Sequence, residues 1–137
     1  MAKILEAGRQ APSASNIQPW HFIVVSDPET KRRLAGESEP FIEESAVTVV
    51  GCGDPNASPK WHVVDVTIAL QSMVIAAWAQ GVGSCWIGFF NEGAVKRILG
   101  IPDRLKIVAL ISLGYPATPP GPKWKKPTNQ IVHHNKF

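Results

Sequence analysis

Apolar and polar positions along the chain change period several times, and each change marks an element. Residues 1–10 set Ile4, Leu5 and Ala7 among charges, which predicts a short helix. No capping residue precedes it, so either the helix frays at the terminus or a further portion lies upstream. Residues 20–25 are aromatic and β-branched and end at Ser26-Asp27-Pro28, the pattern of a strand with a turn. Asp27 or Ser26 then caps a helix that begins at Pro28, carries Glu29 in its first turn and stops near Gly36. Residues 38–45 are acidic and read as irregular or as a short helical turn. Residues 46–50, nearly all β-branched, suit a strand buried on both faces.

Residues 51–59 crowd Gly, Pro, Asn and Asp together and predict a loop. Residues 61–80 predict a long helix that is apolar nearly all round, with Val63, Val64, Val66, Ile68, Leu70, Met73, Val74, Ile75 and Trp78, and with Gly81 as its C-terminal stop. Such a helix is central to a core or lies between subunits. Residues 83–88 form a short extended segment flanked by glycines. Asn91 caps a helix from Glu92 to Leu99, which Gly100 and Pro102 end. Residues 105–113 alternate poorly but are strongly β-forming. Residues 117–127 are proline-rich and carry no core pattern, so they predict an extended arm. Residues 131–134 predict one last short strand.

An arm of this length ending in a strand can leave its own domain and pair with a partner's sheet edge. Together with the apolar helix it predicts an intertwined homodimer. The chain divides accordingly into a core domain, residues 1–116, and an arm, residues 117–137, that reaches the partner subunit.

Composition narrows the classes. The 137 residues suit one domain, and 45% apolar with 18% charged content describes a chain that folds. The net charge of +3 is mild, and the basic residues form no long run or zinc-finger spacing, so nucleic acid is not expected as a partner. A small anionic ligand suits a few lysines better. Residues 63–79 are the longest apolar stretch, but Asp65, Gln71 and Ser72 interrupt it, so no membrane span is expected. Cys52 and Cys85 make neither a disulfide framework nor a metal site. With no secretory signal at the N-terminus they read as reduced thiols of a cytoplasmic protein, Cys85 as a packing residue.

Three stretches carry candidate chemistry. The first is Ala11-Pro-Ser-Ala-Ser-Asn-Ile-Gln-Pro-Trp-His-Phe22, where two prolines exclude regular structure and short polar side chains are free to bond the backbone or a ligand. The second is residues 81–90, and the third residues 123–127. Gly81-Val-Gly83 follows a helix and lacks a third glycine, so it is no dinucleotide fingerprint. His62 and Asp65 share a helical face, but two residues make no metal site, and they read as structural or solvated. Trp20 and Phe22 read as core.

Taken in order, these stretches resemble the nitroreductase family of flavin enzymes. The resemblance runs through the Ala11–Phe22 loop, Gly81-Val-Gly-Ser-Cys-Trp-Ile-Gly88, Ile98-Leu-Gly-Ile-Pro102, Leu113-Gly-Tyr-Pro116, and Lys125-Lys-Pro127 followed by Ile131-Val-His133. It implies an α+β fold around a mostly antiparallel sheet flanked by helices, and a homodimer with FMN sites at the subunit interface and an exchanged C-terminal arm. Pro12, Ser13, Ala14, Ser15 and Asn16 match the loop that lies against the isoalloxazine ring, and Gln18 helps shape that site. Trp86, Ile87 and Gly88 match the segment on the ring's other side, so that the two stretches describe both faces of one flavin. There a backbone N–H near the flavin N5 favours the reduced form. Lys123 and Lys125 match the basic positions that hold the FMN phosphate. Arginine is common at the second of these, and lysine gives a point charge without the bidentate fork.

The family also carries a basic Arg-Arg-Ser-x-Arg segment ahead of the first helix, and the sequence starts at Met1 without it. Either the product is longer or it is a short form that binds FMN more weakly, with Lys123 and Lys125 left to hold the phosphate. The implied activity is hydride transfer from NADH or NADPH through FMN to a small-molecule electron acceptor such as a nitroaromatic or quinone. No side chain need act as acid or base. The alternatives are a catalytically idle or non-flavin dimeric binding module, and a specialised member such as a reductive dehalogenase with residues 37–44 in a substrate lid.

Overall fold

The structure, a computed structural model, describes residues 1–118 and 120–137. Four strands form one sheet in the order β1-β2-β4-β3: β1 (Trp20–Val25), β2 (Val47–Gly53), β3 (Gly83–Ile87) and β4 (Lys106–Gly114). Every pairing is antiparallel. Helices α1 (Ala2–Arg9) and α4 (His62–Trp78) cover one face. Helices α2 (Pro28–Gly36), α3 (Phe41–Glu44) and α5 (Glu92–Leu99) belong to the other.

The two central strands feed both cores. In β2, Val50 and Cys52 face the α2/α3/α5 side, while Val49 faces α1 and α4. In β4, Ile107 and Leu110 face the first side and Ala109, Ile111 and Leu113 the second. Hydrophobic alternation therefore serves two layers, which is why both strands read as nearly continuous apolar runs. The poor alternation predicted for 105–113 has a local cause. The register slips between Gly51 and Cys52, which pair with Ala109 and Ile107, so Val108 is left over. Such a bulge puts Val108 and Ala109 on the same side of the sheet.

Two elements differ from the sequence reading. The second strand does not stop at Val50 but continues through Gly51-Cys52-Gly53, paired on both sides by β1 and β4. Glycine is required there for space rather than for a turn. A Cβ on Gly51 would stand 2.7 Å from Leu70 Cδ1, so α4 lies directly on the strand's backbone. The expected last strand at 131–134 does not form. The arm carries a single 3₁₀ turn, Thr128–Gln130, and its described residues are exposed throughout. Among the described residues the arm pairs with neither outer strand, β1 nor β3, and without a paired edge no strand forms.

Helix α4 is central to the core on one face and leaves the other face uncovered. Asp65, Val66, Ala69, Leu70, Met73 and Ala77 are buried. On the other side Trp61, Val64, Ile68, Ile75 and Trp78 are exposed, Trp78 to 74%. Buried Lys31 sits outside this layer. Its Nζ donates to the carbonyl oxygens of Glu43 and Ser45 and ties α2 to the entry of β2.

Candidate functional site

The loop between α1 and β1 is where the backbone departs furthest from ordinary conformations. Ser13 is extended and opens a short 3₁₀ turn, Ala14–Asn16. Ser15, Asn16 and Gln18 then adopt φ of 50°, 56° and 54°. Left-handed conformations are uncommon for residues other than glycine and cost of order 1–3 kcal/mol each, so they persist only where the surroundings impose them. Three hydrogen bonds do so here. Gln18 N–H donates to Ser13 Oγ at 2.9 Å and Gln18 Nε2 to the Asn16 carbonyl at 3.0 Å. Ala14 N–H donates to Asp65 Oδ1 at 3.0 Å, across 51 residues of sequence. At the loop's far end Asp54 N–H donates to the Pro19 carbonyl at 2.9 Å, where β1 joins the sheet.

The result is a fixed, exposed loop. The Ser15 hydroxyl and the Asn16 side-chain amide make no hydrogen bond among the described residues, and both residues are exposed. Pro12 and Gln18 are exposed as well, while Ser13 and Ala14 are partly covered. These groups offer donors and acceptors of the kind that the polar edge of a heteroaromatic ring requires.

The second stretch lies elsewhere. Trp86 is 38% exposed and Gly88 has open space around it, but Ile87 is 2% exposed and its side chain belongs to the core. Only the backbone of Ile87 is therefore available to a ligand. The segment leading out of β3 leans on α2. Ser38 Oγ donates to the Phe89 carbonyl (3.1 Å), and Asn91 N–H donates to the Glu37 carbonyl (3.0 Å). Lys123 and Lys125 sit on the exposed arm and make no ion pair among the described residues.

Within one chain the three stretches do not come together. The loop enters β1 and the second stretch leaves β3, the two outer strands of the sheet. Three inter-strand spacings, roughly 14 Å, separate those edges. The loop is anchored to α4 on one face, and the segment after Ile87 to α2 on the other. Two surfaces in contact with both faces of a flat ring stand only about 7–8 Å apart. The two stretches of one chain therefore do not face each other across one flat ring. Two surface grooves, of about 440 and 460 Å³, are lined by none of the predicted site residues.

Sequence reasoning assigned Asp65 to structure or solvent, yet it is 2% exposed and holds the loop. The signal was present: a lone carboxylate on the buried face of an apolar helix needs donors nearby. Its neighbour His62 is half-buried, and its Nδ1 lies 2.9 Å from the Ser58 carbonyl. Cys85, expected to pack, is exposed together with its neighbours Ser84 and Trp86, because β3 is an outer strand of the sheet. Among the described residues no group of His, Cys, Asp and Glu is placed to hold a metal ion, and no helix is long and apolar enough to cross a membrane.

Comparison with known proteins agrees with the fold. A model of the nitroreductase family matches residues 1–50 and 36–115. A provisionally named NADH dehydrogenase/NAD(P)H nitroreductase of Archaeoglobus fulgidus is 38% identical over 127 residues, covering 83% of this chain and 71% of that protein. The solved FMN-dependent nitroreductase of Clostridium difficile superposes with a TM-score of 0.89 at 26% identity, over 99% of this chain and 86% of that one. The Vibrio harveyi NADPH:FMN oxidoreductase, solved in complex with NAD+, gives 0.89 at 27% identity, over 99% and 67%. With its antiparallel sheet between two helical layers and its clamped loop ahead of β1, the chain belongs to the nitroreductase family.

Proposed function

We propose that this chain transfers hydride from NADH or NADPH through FMN to an electron-poor small molecule, a nitroaromatic or quinone, at a site completed by a second copy of the chain. Family membership gives the coarser part: the chain is an NAD(P)H-dependent flavin oxidoreductase. The observation that carries the finer reading is the Ser13–Gln18 loop, with three residues held in left-handed conformation and polar groups left free at the surface.

When bound, FMN supplies a carrier that accepts hydride from the nicotinamide and passes it on. The protein binds and orients. Ser15 and Asn16 bond the ring's polar edge, with Pro12, Ser13, Ala14 and Gln18 forming the rest of that wall. Trp86 and the backbone of Ile87 and Gly88, contributed by the other copy, close the opposite side. A fixed N–H in that segment would favour an electron-rich ring. Lys123 and Lys125 hold the phosphate as point charges. No titratable side chain is needed to move a proton.

The homodimer is supported by surface that a lone chain leaves uncovered. Trp61, Val64, Ile68, Ile75 and Trp78 lie three, four, seven and three residues apart along α4 and its N-cap, which keeps them on one face, the spacing of a seam between two packed helices. Residues 117–137, the proposed exchanged arm, expose Trp124, Ile131 and Val132. Two unpaired cysteines suit a reducing, cytoplasmic setting.

Anaerobic stopped-flow mixing of FMN-loaded protein with NADH, and separately with NADPH, tests the activity. The flavin absorbance near 450 nm, on the order of the usual oxidised-flavin band, bleaches with at least one donor and returns on adding a quinone. A loaded protein that bleaches with neither refutes the reading.

A further inference from the structure

Asp65 is the one side chain among the described residues that ties the Ala11–Pro19 loop to another element. It lies in the first turn of α4, flanked by the core residues Val66 and Ala69, and is 98% removed from solvent as the complement of its 2% exposure. Its Oδ1 accepts from Ala14 N–H, the peptide immediately before Ser15 and Asn16 turn left-handed. Its Oδ2 is buried and has no hydrogen-bond partner among the described residues. A buried carboxylate short of one hydrogen bond is costly, so its place here is explained by the one bond it makes, to the loop's Ala14 N–H.

We propose that Asp65 is the positioning residue of the flavin loop: its carboxylate grips Ala14 N–H and thereby presets Ser15 and Asn16 for the ring before FMN arrives. This rests on the reading of that loop as the FMN wall. The grip is at the loop's start, while Ser13 Oγ grips its end through Gln18 N–H, so the left-handed run is held between two fixed points. Without the first point the peptide at Ala14 is free to turn, and the ordering of the loop falls on the binding step. Affinity drops because preorganisation is lost, even though Asp65 itself need not touch the ring.

The test compares two variants that fold differently if Asp65 is merely structural. Asp65→Leu keeps the volume and loses the acceptor, and Asp65→Asn keeps an acceptor oxygen of the same shape. FMN is titrated into the flavin-free full-length chain by fluorescence quenching, with thermal unfolding of each flavin-free protein alongside. Asp65→Leu is expected to stay folded with a modest loss of melting temperature yet bind FMN roughly tenfold to a hundredfold more weakly, and Asp65→Asn to bind within about threefold of wild type. Should Asp65→Leu fail to fold, Ala14→Pro removes the donor from the other side at a position whose predecessor, Ser13, is already extended, and is expected to weaken FMN to a similar degree. Amide exchange at Ala14 gives a readout free of flavin: fast in Asp65→Leu, protected in wild type and Asp65→Asn. Wild type that binds FMN, with Asp65→Leu binding equally well, overturns the positioning role alone. Wild type that binds no FMN overturns the flavin reading and the role together, whatever the exchange shows.

Discussion

Cys52 and Cys85 carry the same thiol in opposite surroundings. Cys52 lies in β2 with no exposed surface, and burial pushes its thiol up to about 11, with smaller opposing effects from the charges of Lys96 and Glu92. Cys85 is exposed on the edge strand. At about pH 8 a water-soluble alkylating reagent is expected to modify Cys85 within minutes and Cys52 only after unfolding, and mass spectrometry of tryptic peptides reads the difference. The raised value has a sign for stability. The folded chain holds the Cys52 proton more tightly than the unfolded one, so this contribution is complete below the ordinary value of 9.0 and is lost as pH rises towards about 11. The urea midpoint therefore falls across that window in wild type and falls less in Cys52→Ala. At this scale the sequence was most legible where partners are local. Asp27 caps α2 by accepting from Thr30 N–H at 2.8 Å, and Asn91 caps α5 by accepting from Ala94 N–H at 3.0 Å, both as expected. Asp65 was not legible, because its partner lies 51 residues away in sequence.

Elements followed the periodicity wherever one face met one core. Helices α1, α2, α4 and α5 and strands β1 and β3 fall where the pattern put them. Misreadings arose where glycine stood for close packing rather than for a turn, as at Gly51 and Gly53 in β2, and where a short β-forming run has no paired edge among the described residues, as at 131–134. Helix α5 shows what a legible boundary contributes. Asn91 caps its start, Gly100 ends it at φ 65°, and Glu92 binds both Lys106 Nζ (2.6 Å) and Ile107 N–H (3.1 Å), joining the helix to β4. Asn91→Ala is expected to cost about 1 kcal/mol in urea unfolding without changing the slope of the transition. A loss near zero would mean that the Glu37–Asn91 backbone bond alone holds this corner.

The whole molecule explains what no element shows by itself. The sequence reading placed both sides of a flavin in one list of motifs, and the sheet order puts those motifs on opposite edges and opposite layers. A linear resemblance carries no information about which copy supplies which wall. The exposed stripe on α4 and the uncovered arm are the surfaces that the proposed homodimer would use, a second chain covering the one and receiving the other. The central claim is that each flavin site is shared, the loop coming from one chain and the 86–88 segment from its partner.

Mixed dimers test that claim most directly. One chain carries Ser15→Ala with Asn16→Ala, which strips the loop. The other carries Gly88→Leu, which the fold tolerates because nothing lies within 4 Å of an added Cβ, but which fills the opposite wall. Each variant alone forms dimers that bind FMN poorly. Co-expressed with two tags and purified through both, the mixed dimer is expected to regain one intact site and hold about one FMN per two chains. A mixed dimer that stays as empty as its parents, in the same buffer where wild type fills both sites, would mean that each chain builds its site alone, and the account would be wrong.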